Sequence, residues 1–374
     1  HPHMPINTRR ATAVEVPATR VGAYSKRTVT HVANTIVEVE TDAGISGLGE
    51  ARGTFCARLV NERLGPAVVG LPVDDHRAIR DACLPAEPFD YGYPEYLSDR
   101  NAFGGIEIAL WDIAGRDSGL PLYRLLGGPV RGRAPFVAYA YTVDPAEGRP
   151  DEEVARIMAD IAAERVAATG AGMFECKVGL HSAPCEIAVM RAVREAVGPD
   201  IDLAVDANMG FSMEAARRFL AGAADLPLAN IEEPVAGLGM IERLRADFGV
   251  PVSTHCVDLD ALSRHPGIDS VVTDPALLGG IGPLVEFIAR VSAIDKRIWL
   301  RARWELGIAW AVMCHLGVAR PELDRPSQAL IDWIEDDLVL GETWLVRDGG
   351  VRPPDLPGLG VELDRAALAR YAVG

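Results

Sequence analysis

The second two-thirds of the chain repeats one pattern of apolar and polar positions. Short apolar runs typical of buried strands alternate with stretches whose apolar residues recur at helical spacing. Eight such runs cover 134–141, 172–178, 201–208, 228–234, 250–255, 268–274, 297–302 and 329–335. The stretches between them predict helices at 151–169, 183–197, 212–223, 238–247, 282–294 and 306–317. Strands alternating with helices over about 200 residues predict an α/β fold, a parallel (β/α)8 TIM barrel.

The first third follows a different pattern, which predicts an α+β domain. Residues 31–53 contain two strand-like runs joined by a tight turn at 42–44. A long helix with one apolar stripe is predicted over 99–117, and Gly119 ends it. We therefore expect three parts, in which the last packs on the first. These are an α+β capping domain at 5–133, the barrel at 134–335, and a C-terminal segment at 336–374 that completes the cap.

Composition and charge narrow the class of protein. The 374 residues carry a net charge of −16, which argues against nucleic acid and anionic membranes as partners, because both reward clusters of Lys and Arg. The sequence has no run of about 18 apolar residues that would span a membrane. The six cysteines include no C-x-x-C pair. This usage is typical of reduced thiols, so we expect a cytoplasmic protein.

Polar side chains stand at the ends of seven of the eight predicted strands. In a (β/α)8 barrel the active site lies at the carboxyl ends of the strands. Such groups are costly in a dry core unless they are paired, so their gathering at one mouth predicts a polar site of mixed charge. In chain order they are Glu175 and Lys177, Asp206 and Asn208, Glu232 and Glu233, His255, Asp274, Arg301 and Arg303, and Asp332 and Glu335.

Three of these residues form a candidate metal site. Asp206, Glu232 and His255 end three consecutive strands and are separated by 26 and 23 residues. Because adjacent strands lie about 4.8 Å apart, three short side chains so placed can converge on one ion. Two carboxylates and an imidazole suit a divalent cation, with oxygen favouring Mg²⁺ and the imidazole favouring Mn²⁺, Fe²⁺ or Zn²⁺. The alternative is that each residue caps a helix or pairs with a neighbour.

The second predicted strand carries two opposite charges within GMFECKVGL (172–180). Side chains at i and i+2 of a strand share a face, so Glu175 and Lys177 point toward the same side. An ammonium beside a metal or another cation has a lowered pKa and can serve as a general base. We therefore expect Lys177 to be the base of the site. The alternative is a Glu175–Lys177 ion pair that only closes the barrel mouth.

Several segments resemble the enolase superfamily, specifically its mandelate racemase branch and the glucarate dehydratase-like proteins within it. The resemblance covers about residues 12–365 and is carried by TIVEVETDAGISGLGEA (35–51), GGIEIALWDIAGRDSGLPLYRLLGG (104–128), VDAN (205–208), IEEP (231–234) and PGLGVEL (357–363). It implies that a base removes the proton α to a carboxylate while Mg²⁺ stabilises the enediolate, as in enolase-superfamily sites generally.

The resemblance also implies the partners and the residue roles. It implies a small-molecule carboxylate or polyhydroxy acid as substrate, a homo-oligomer, and loops of the first domain at 17–31 and 49–57 that cover the mouth. Lys177 matches the family's base, and Asn208 matches a position that contacts the substrate. We group Asp332, on the eighth predicted strand, with the substrate-binding residues.

Three positions depart from the family pattern. On the fifth strand His255 stands where glucarate dehydratases carry an asparagine and many relatives a carboxylate, so it is a candidate metal ligand or, alternatively, a base. Glu175 stands where the family has the first lysine of Lys-x-Lys, which pairs with the substrate carboxylate, and Glu175 is a candidate second acid–base group. On the seventh strand Ala302 replaces the histidine that Asp274 would orient. An arginine does not take up a proton near neutral pH. Arg301 and Arg303 are therefore expected to bind an anion, with Asp274 as their partner.

Three functions are compatible with these residues. The first is a divalent-metal-dependent lyase of the dehydratase type, with Lys177 as base. The second is a racemase, epimerase or cycloisomerase, which needs a second proton carrier such as His255 or Glu175. The third is a non-catalytic ligand-binding relative. Product analysis in D₂O separates the first two, and bound divalent metal separates both from the third.

Overall fold

The first domain is an antiparallel sheet covered by helices. The computed structural model describes residues 4–85 and 94–374. The strands β1 (Ile6–Tyr24), β2 (Arg27–Thr41) and β3 (Ser46–Arg52) form a meander. The predicted turn at 42–44 is confirmed, and Gly44 adopts a left-handed φ of 76° there. The helices that follow are α1 (Phe55–Leu59), a π-helical turn (Val60–Leu64), α2 (Gly65–Val68), α3 (His76–Cys83), α4 (Pro94–Ser118) and α5 (Leu122–Leu125).

Helix α4 packs tightly on β3, as the pattern of small residues requires. A Cβ on Gly47 would lie 2.2 Å from the Ala109 carbonyl oxygen, and one on Gly49 would lie 1.8 Å from that of Gly105. Only glycine permits this approach of strand to helix. The contact holds β3 against α4, and β3 ends at Arg52.

The second domain is a parallel barrel. The short strand β4 (Ala134–Pro135) precedes it and lies outside the barrel sheet. The barrel strands are β5 (Ala138–Ala140), β6 (Met173–Lys177), β7 (Asp202–Asp206), β8 (Leu228–Glu232), β9 (Val252–Thr254), β10 (Ser270–Thr273) and β11 (Arg297–Leu300). Strands β5 to β11 form one seven-stranded sheet in sequential order. The connecting helices are α6 (Asp151–Thr169), α7 (Ala183–Val197), α8 (Met213–Gly222), α9 (Leu238–Phe248), α10 (Leu259–Ser263), α11 (Pro275–Leu278), α12 (Ile281–Ala293) and α13 (Gly307–Ala319). The predicted TIM-barrel class is confirmed.

The prediction of an eighth strand at 329–335 is wrong. Ser327 and Gln328 close the barrel instead: the Val137 N–H donates to the Ser327 carbonyl, and the Gln328 N–H donates to the Leu300 carbonyl, each at 2.9 Å. The apolar run after them turns through a 3₁₀ helix, Ile331–Trp333, and is buried against the first domain, where Ile334 bridges to Ala18. The apolar pattern of this run therefore reflects burial against the first domain and not hydrogen bonding within the barrel sheet.

The C-terminal segment returns to the first domain, as expected. It contains β12 (Gly350–Val351), which pairs with β4, and α14 (Arg365–Tyr371), which lies on β1. The Val373 N–H donates to the Ala13 carbonyl at 2.9 Å. The boundaries at 133/134 and 335/336 stay predictions. Among the described residues no helix is long and apolar enough to cross a membrane.

Candidate active site

A cavity of about 260 Å³ lies between the carboxyl ends of the barrel strands and the loops of the first domain. The barrel contributes residues from the carboxyl ends of its strands, as the strand-end pattern predicted. The first domain contributes Tyr24, Lys26, Arg27 and Val29 from the β1–β2 hairpin and Arg52 from the end of β3. Both loop regions expected to cover the mouth therefore line it.

The three predicted metal ligands are brought together on one wall, which we call the acidic side (Asp206, Glu232 and His255). One ligand atom from each residue lies within 4.8 Å of the others. Asp206 and Glu232 end adjacent paired strands, and His255 comes directly after β9. His255 Nε2 and Glu232 Oε1 lie 2.5 Å apart. The spacing read from the sequence therefore matches a single small binding point.

The electrostatics of the acidic side fit a divalent cation. Burial and then the neighbouring Asp206 and Glu175 carboxylates raise the pKa of Glu232 well above its usual range. Burial and the Arg301 guanidinium lower the pKa of His255 to about 4, so its imidazole is neutral and has a lone pair to offer. A divalent cation would offset the repulsion between the crowded carboxylates and would accept the lone pair of the neutral imidazole. Asp206, Glu232 and His255 are the residues that would hold it.

Lys177 lies against this wall and is almost wholly buried. Its Nζ donates to Asp206 Oδ2 and to Asn208 Oδ1, each at 2.5 Å. Three tyrosine rings surround the ammonium, with centroids 5.5–5.6 Å away, in a cation–π arrangement formed by Tyr24, Tyr139 and Tyr141. Burial opposes the charge, but Asp206, Tyr141 and Glu232 together outweigh it, so the pKa of Lys177 lies above its usual range.

Backbone strain positions Asn208. The residue adopts a φ of 45°, and Met209 adopts a φ of 60°, which is unusual outside glycine. The Asn208 N–H donates to Asp206 Oδ1 at 2.9 Å, and the Ser25 hydroxyl of the first domain donates to the Asn208 carbonyl at 2.7 Å. The strained turn therefore holds the Asp206 carboxylate by one oxygen and leaves the other to Lys177.

Glu175 lies inside the barrel and pairs with a residue that the sequence reasoning did not single out. It is fully buried, and Arg325 Nη2 donates to its Oε2 at 2.9 Å. The Arg325 guanidinium also stacks 3.6 Å from the centre of the Trp299 ring. The ion pairs of Glu175 and Lys177 are thus separate, with Arg325 and Asp206 respectively. The structure does not bring Glu175 to the wall of the cavity.

Gln328 connects Glu175 to the acidic side and was also missed. Its Nε2 donates both to Glu175 and to Glu232 Oε2, the latter at 2.9 Å, while its Oε1 accepts the Ala302 N–H at 3.1 Å. The donor and acceptor ends of the amide are thereby assigned. In the sequence, the only indication of a role for Gln328 was its position just before the run predicted as the eighth strand. Because that strand was misplaced, Gln328 was not recognised as part of the site.

Another part of the cavity lining is positively charged. It consists of three arginines that we call the arginine side (Arg52, Arg301 and Arg303). Arg301 Nε donates to Asp274 Oδ2 at 2.5 Å, and Arg303 Nη1 lies 3.6 Å from Asp274 Oδ1. Although burial alone would raise the pKa of Asp274, the two arginines lower it to about 2. Asp274 also caps α11 by accepting the Leu277 N–H. It is therefore a charged partner of arginines, as the missing histidine suggested.

Asp332 does not reach the cavity. It lies in the 3₁₀ helix after the closing segment and pairs with Arg165 of α6. Tyr141, by contrast, lines the cavity from the end of the first barrel strand, and Trp304 stacks on it with ring centres 5.4 Å apart. Burial raises the pKa of Tyr141 to about 12, so its hydroxyl keeps its proton. Aromatic residues at a strand end were the available signal for this wall.

The comparisons with known proteins agree with this geometry. Residues 8–127 match the N-terminal domain of mandelate racemase and muconate lactonizing enzyme, and residues 157–367 match the enolase C-terminal domain-like family. The chain belongs to the enolase superfamily, in its mandelate racemase branch. It is glucarate dehydratase-like within that branch, and it is an enzyme of the lyase or isomerase type.

Three proteins to which this chain is similar carry different names. A protein of Streptomyces coelicolor named as a probable glucarate dehydratase is 29% identical over 362 residues, covering 89% of this chain and 83% of that protein. D-galactarolactone cycloisomerase of Agrobacterium fabrum is 29% identical over 358 residues, covering 91% of each chain. An enolase from Thermobispora bispora, solved with magnesium and formate, is 26% identical with a TM-score of 0.86, covering 98% of this chain and 92% of that chain.

Proposed function

We propose that the enzyme is a divalent-metal-dependent lyase of the dehydratase type. It removes the proton α to the carboxylate of a small polar acid, with Lys177 as the base. The observation that carries the proposal is the contact between Lys177 Nζ and Asp206 Oδ2, because it puts the base next to the residues that would hold the metal. Lys177 also lines the cavity in which the substrate would lie.

Mg²⁺ is the ion we propose for the acidic side, with Mn²⁺ as a second choice because of His255. The relative solved with magnesium supports this choice. When bound, the ion supplies a fixed positive charge that stabilises negative charge on the substrate carboxylate and offsets the Asp206 charge beside Lys177. Glu232 is kept in place for this task by Gln328.

One proton carrier is sufficient for elimination on one face of the substrate. The neutral Lys177 amine takes the α-proton, the electron pair of the C–H bond forms the new double bond, and the β-hydroxyl leaves. The Lys177 ammonium then returns its proton to that leaving group, so the products are water and the unsaturated acid. Asn208 is positioned to hold the Lys177 amine, and the Tyr141 hydroxyl is available to the substrate as a donor.

A cycloisomerase is the second candidate, and a specific observation favours it over a racemase. Racemisation needs proton carriers on two faces, and the position of the family's second base holds Ala302 between two arginines. Cycloisomerisation requires one base, and a relative carries that name. Arg301 and Arg303 would in either reaction bind an anionic part of the substrate.

Metal binding tests the acidic side first. Titration of the metal-free protein with Mg²⁺ should reveal about one ion per chain, and Asp206→Ala and His255→Ala should each abolish that binding. Asp225→Ala, which alters an exposed carboxylate paired with Arg191, is the matched control and should bind as the native protein does. A native protein that holds no ion would refute the metal-dependent mechanism.

Exchange in D₂O tests the base. Acid sugars and hydroxy acids would be screened for incorporation of deuterium at the α-carbon and for loss of water. Lys177→Met should retain Mg²⁺ and lose about 10³-fold in the rate of exchange or elimination. Retention of full activity by Lys177→Met would refute the role of this lysine. Deuterium at the α-carbon without loss of water would indicate the isomerase.

A further inference from the structure

A glutamate of the capping domain binds the first turn of a barrel helix. Glu50, on β3, is buried. Its Oε1 accepts the Leu306 N–H and its Oε2 accepts the Ala309 N–H, each at 2.8 Å, at the start of α13. In the same turn, Asp337 of the C-terminal segment accepts the Gly307 N–H at 2.9 Å. Because the first N–H groups of a helix have no partner within it, Glu50 serves as a cap supplied by another domain.

A second glutamate of the capping domain does the same for the preceding barrel helix. Glu107, on α4, is also buried, and it accepts the Ile281 N–H at 2.6 Å and the Gly282 N–H at 2.8 Å at the start of α12. The N-cap residues of α12 and α13 are Gly280 and Leu306, and neither has a side chain that can accept a hydrogen bond. Both helices therefore take a carboxylate cap from the capping domain.

The two sides of the cavity differ in where their helices obtain caps. Helix α7 follows β6, which carries Lys177, and α8 follows β7, which ends at Asp206. These helices are capped by their own N-cap residues, Ser182 and Ser212, whose hydroxyls each accept a helix N–H. Helices α12 and α13 instead follow β10 and β11, which lead to Asp274 and to the two barrel arginines of the arginine side. The capping domain thus holds the part of the barrel that carries the arginine side.

Glu50 is also joined to the arginine side through Asn34. Asn34 Nδ2 donates to Glu50 Oε1 at 2.8 Å and to the Trp304 carbonyl at 2.9 Å. Its Oδ1 accepts a hydrogen bond from Arg52 Nη1 at 3.2 Å. Since Trp304 follows Arg303 in the chain, this network ties Arg52 of the capping domain to the barrel segment that carries the other arginines.

Burial makes both contacts exacting. It raises the pKa of Glu50 and of Glu107 to about 7, while the hydrogen bonds from the helix N–H groups lower it. A buried carboxylate is costly unless its oxygens are hydrogen-bonded. Movement of either glutamate away from its helix would leave the carboxylate and the helix N–H groups without partners. The two contacts therefore favour a single position of the capping domain against α12 and α13.

We propose that Glu50 and Glu107 are positioning residues that fix the arginine side against the capping domain, while the acidic side forms without them. This inference rests on the proposed function, in which the arginine side binds an anionic part of the substrate. It predicts that the two sides respond differently when a glutamate is replaced. The arginine side should loosen, and metal binding should not change.

Hydrogen–deuterium exchange of the whole chain, followed by mass spectrometry, tests this positioning directly. Glu50→Met and Glu107→Met keep side chains of similar length and lack the acceptor oxygens. In Glu50→Met the amides of 302–309 should exchange about 10-fold faster, as expected for a lost helix cap. In Glu107→Met the same should hold for 277–284. The amides of 203–208, on the acidic side, should keep their native rates in both variants.

Two further variants separate positioning from a general effect on stability. Glu50→Gln retains one acceptor oxygen, so it should show a smaller increase in exchange than Glu50→Met and serves in its place if that variant does not fold. Ser212→Ala removes the local cap of α8 and is the matched control. It should speed exchange at 213–216 and leave 302–309 unchanged. Titration with Mg²⁺ should give the native affinity, within about twofold, in Glu50→Met and Glu107→Met.

Kinetics supply the functional readout. With the acid that the D₂O screen identifies, Glu50→Gln should raise KM about 10-fold and leave kcat within about twofold. The reason is that the arginine side holds the substrate, whereas Lys177 and the metal act on the opposite side of the cavity. A loss of kcat with an unchanged KM would contradict the inference.

The outcomes distinguish this inference from the proposed function. Native exchange rates at 302–309 in Glu50→Met would overturn the inference. So would faster exchange spread evenly over the molecule, because the glutamate would then contribute to global stability alone. A loss of Mg²⁺ affinity in either methionine variant would contradict the independence of the acidic side. A native protein that binds no Mg²⁺ would overturn the proposed function alone, since the exchange result does not depend on the metal.

Discussion

The acidic side and the arginine side of one small cavity carry opposite excesses of charge. On the acidic side, Asp206 and Glu232 are buried 99% or more, and Lys177 is the ammonium that contacts Asp206. On the arginine side, one carboxylate, Asp274, serves both Arg301 and Arg303, and Arg52 lies beside them. The first is short of positive charge and the second is short of negative charge. A cation and an anionic substrate are the two ligands that would complete them.

The two sides also differ in how closely they match the family. The acidic side keeps the strand-end pattern by which the resemblance was identified, namely VDAN and IEEP. The arginine side contains the altered strand-seven position, where Ala302 lies between Arg301 and Arg303. Because the scaffold and the VDAN and IEEP segments are retained, we expect the alteration to change which substrate group is held there and to leave the proposed base, Lys177, in place.

Breaking the ion pair beneath the acidic side should have the largest effect on stability. Arg325→Met leaves the fully buried Glu175 carboxylate without a counterion and adds to the crowding around Glu232. We expect a loss of about 3 kcal/mol in the free energy of unfolding, at the low end for broken buried pairs because Gln328 still donates to Glu175. Urea denaturation of the metal-free protein would measure it.

The double variant Glu175→Met/Arg325→Met is the control for that prediction. It removes both charges and retains similar volume, so it should recover most of the lost stability. A double variant as unstable as Arg325→Met would show that packing against Trp299, and not charge, is what Arg325 contributes.

Removing the shared carboxylate should destabilise the arginine side by a smaller, pH-dependent amount. The pKa of Asp274 falls from 3.8 to about 2 on folding, so its ionised form favours the folded state at pH values above 3.8. That shift corresponds to about 2 kcal/mol, which is fully present at neutral pH and is lost as the pH falls through 2. Asp274→Asn should therefore cost about 2 kcal/mol at pH 7.

The pH dependence distinguishes charge from capping in that variant. The difference in unfolding free energy between the native protein and Asp274→Asn should be constant above pH 5 and should shrink as the pH falls below 4. Asparagine still accepts the Leu277 N–H at the start of α11, so loss of the helix cap is not expected. A difference that stays constant down to pH 2 would contradict an ionic origin.

The sequence predicted the acidic side more fully than the rest because its ligands are carried by regular strands. Asp206, Glu232 and His255 occur at repeating intervals, and their burial results from strand ends that meet at one edge. Lys177 was expected for the same reason. Local periodicity also predicted the capping domain, its hairpin turn and the barrel helices. This signal can be read from a single sequence, because it does not depend on which distant segments come into contact.

The remaining features depend on contacts between distant segments. Glu175 meets Arg325 across 150 positions, and Asp332 meets Arg165 across the barrel wall, so no local pattern indicates either pair. The run at 329–335 is apolar because it packs on β1. In the sequence, such a run looks the same as a buried barrel strand. Arg52 was visible as a charge in a loop, but its position in the cavity beside Arg303 depends on the fold.

Gln328 offers the finest test of the acidic side, because it touches a proposed metal ligand without being one. Gln328→Met removes the donor to Glu232 and Glu175 while keeping a side chain of similar length. Partners that orient metal ligands contribute about 10- to 100-fold to metal affinity. We expect about a 10-fold loss of Mg²⁺ affinity, at the low end because His255 also contacts Glu232. Titration with Mg²⁺ would measure it.

The neighbouring Ser327 supplies the control for Gln328, since it lies in the same closing segment. Its hydroxyl accepts the Leu300 N–H at 3.0 Å, and in the part of the chain that the structure describes no hydrogen bond joins it to the three residues of the acidic side. Ser327→Ala should therefore lower stability and leave Mg²⁺ affinity unchanged. Equal losses of affinity in both variants would mean that the closing segment acts through barrel geometry. A loss confined to Gln328→Met would mean that the amide itself orients Glu232, and that Glu175, through Gln328, is a positioning residue for the metal site.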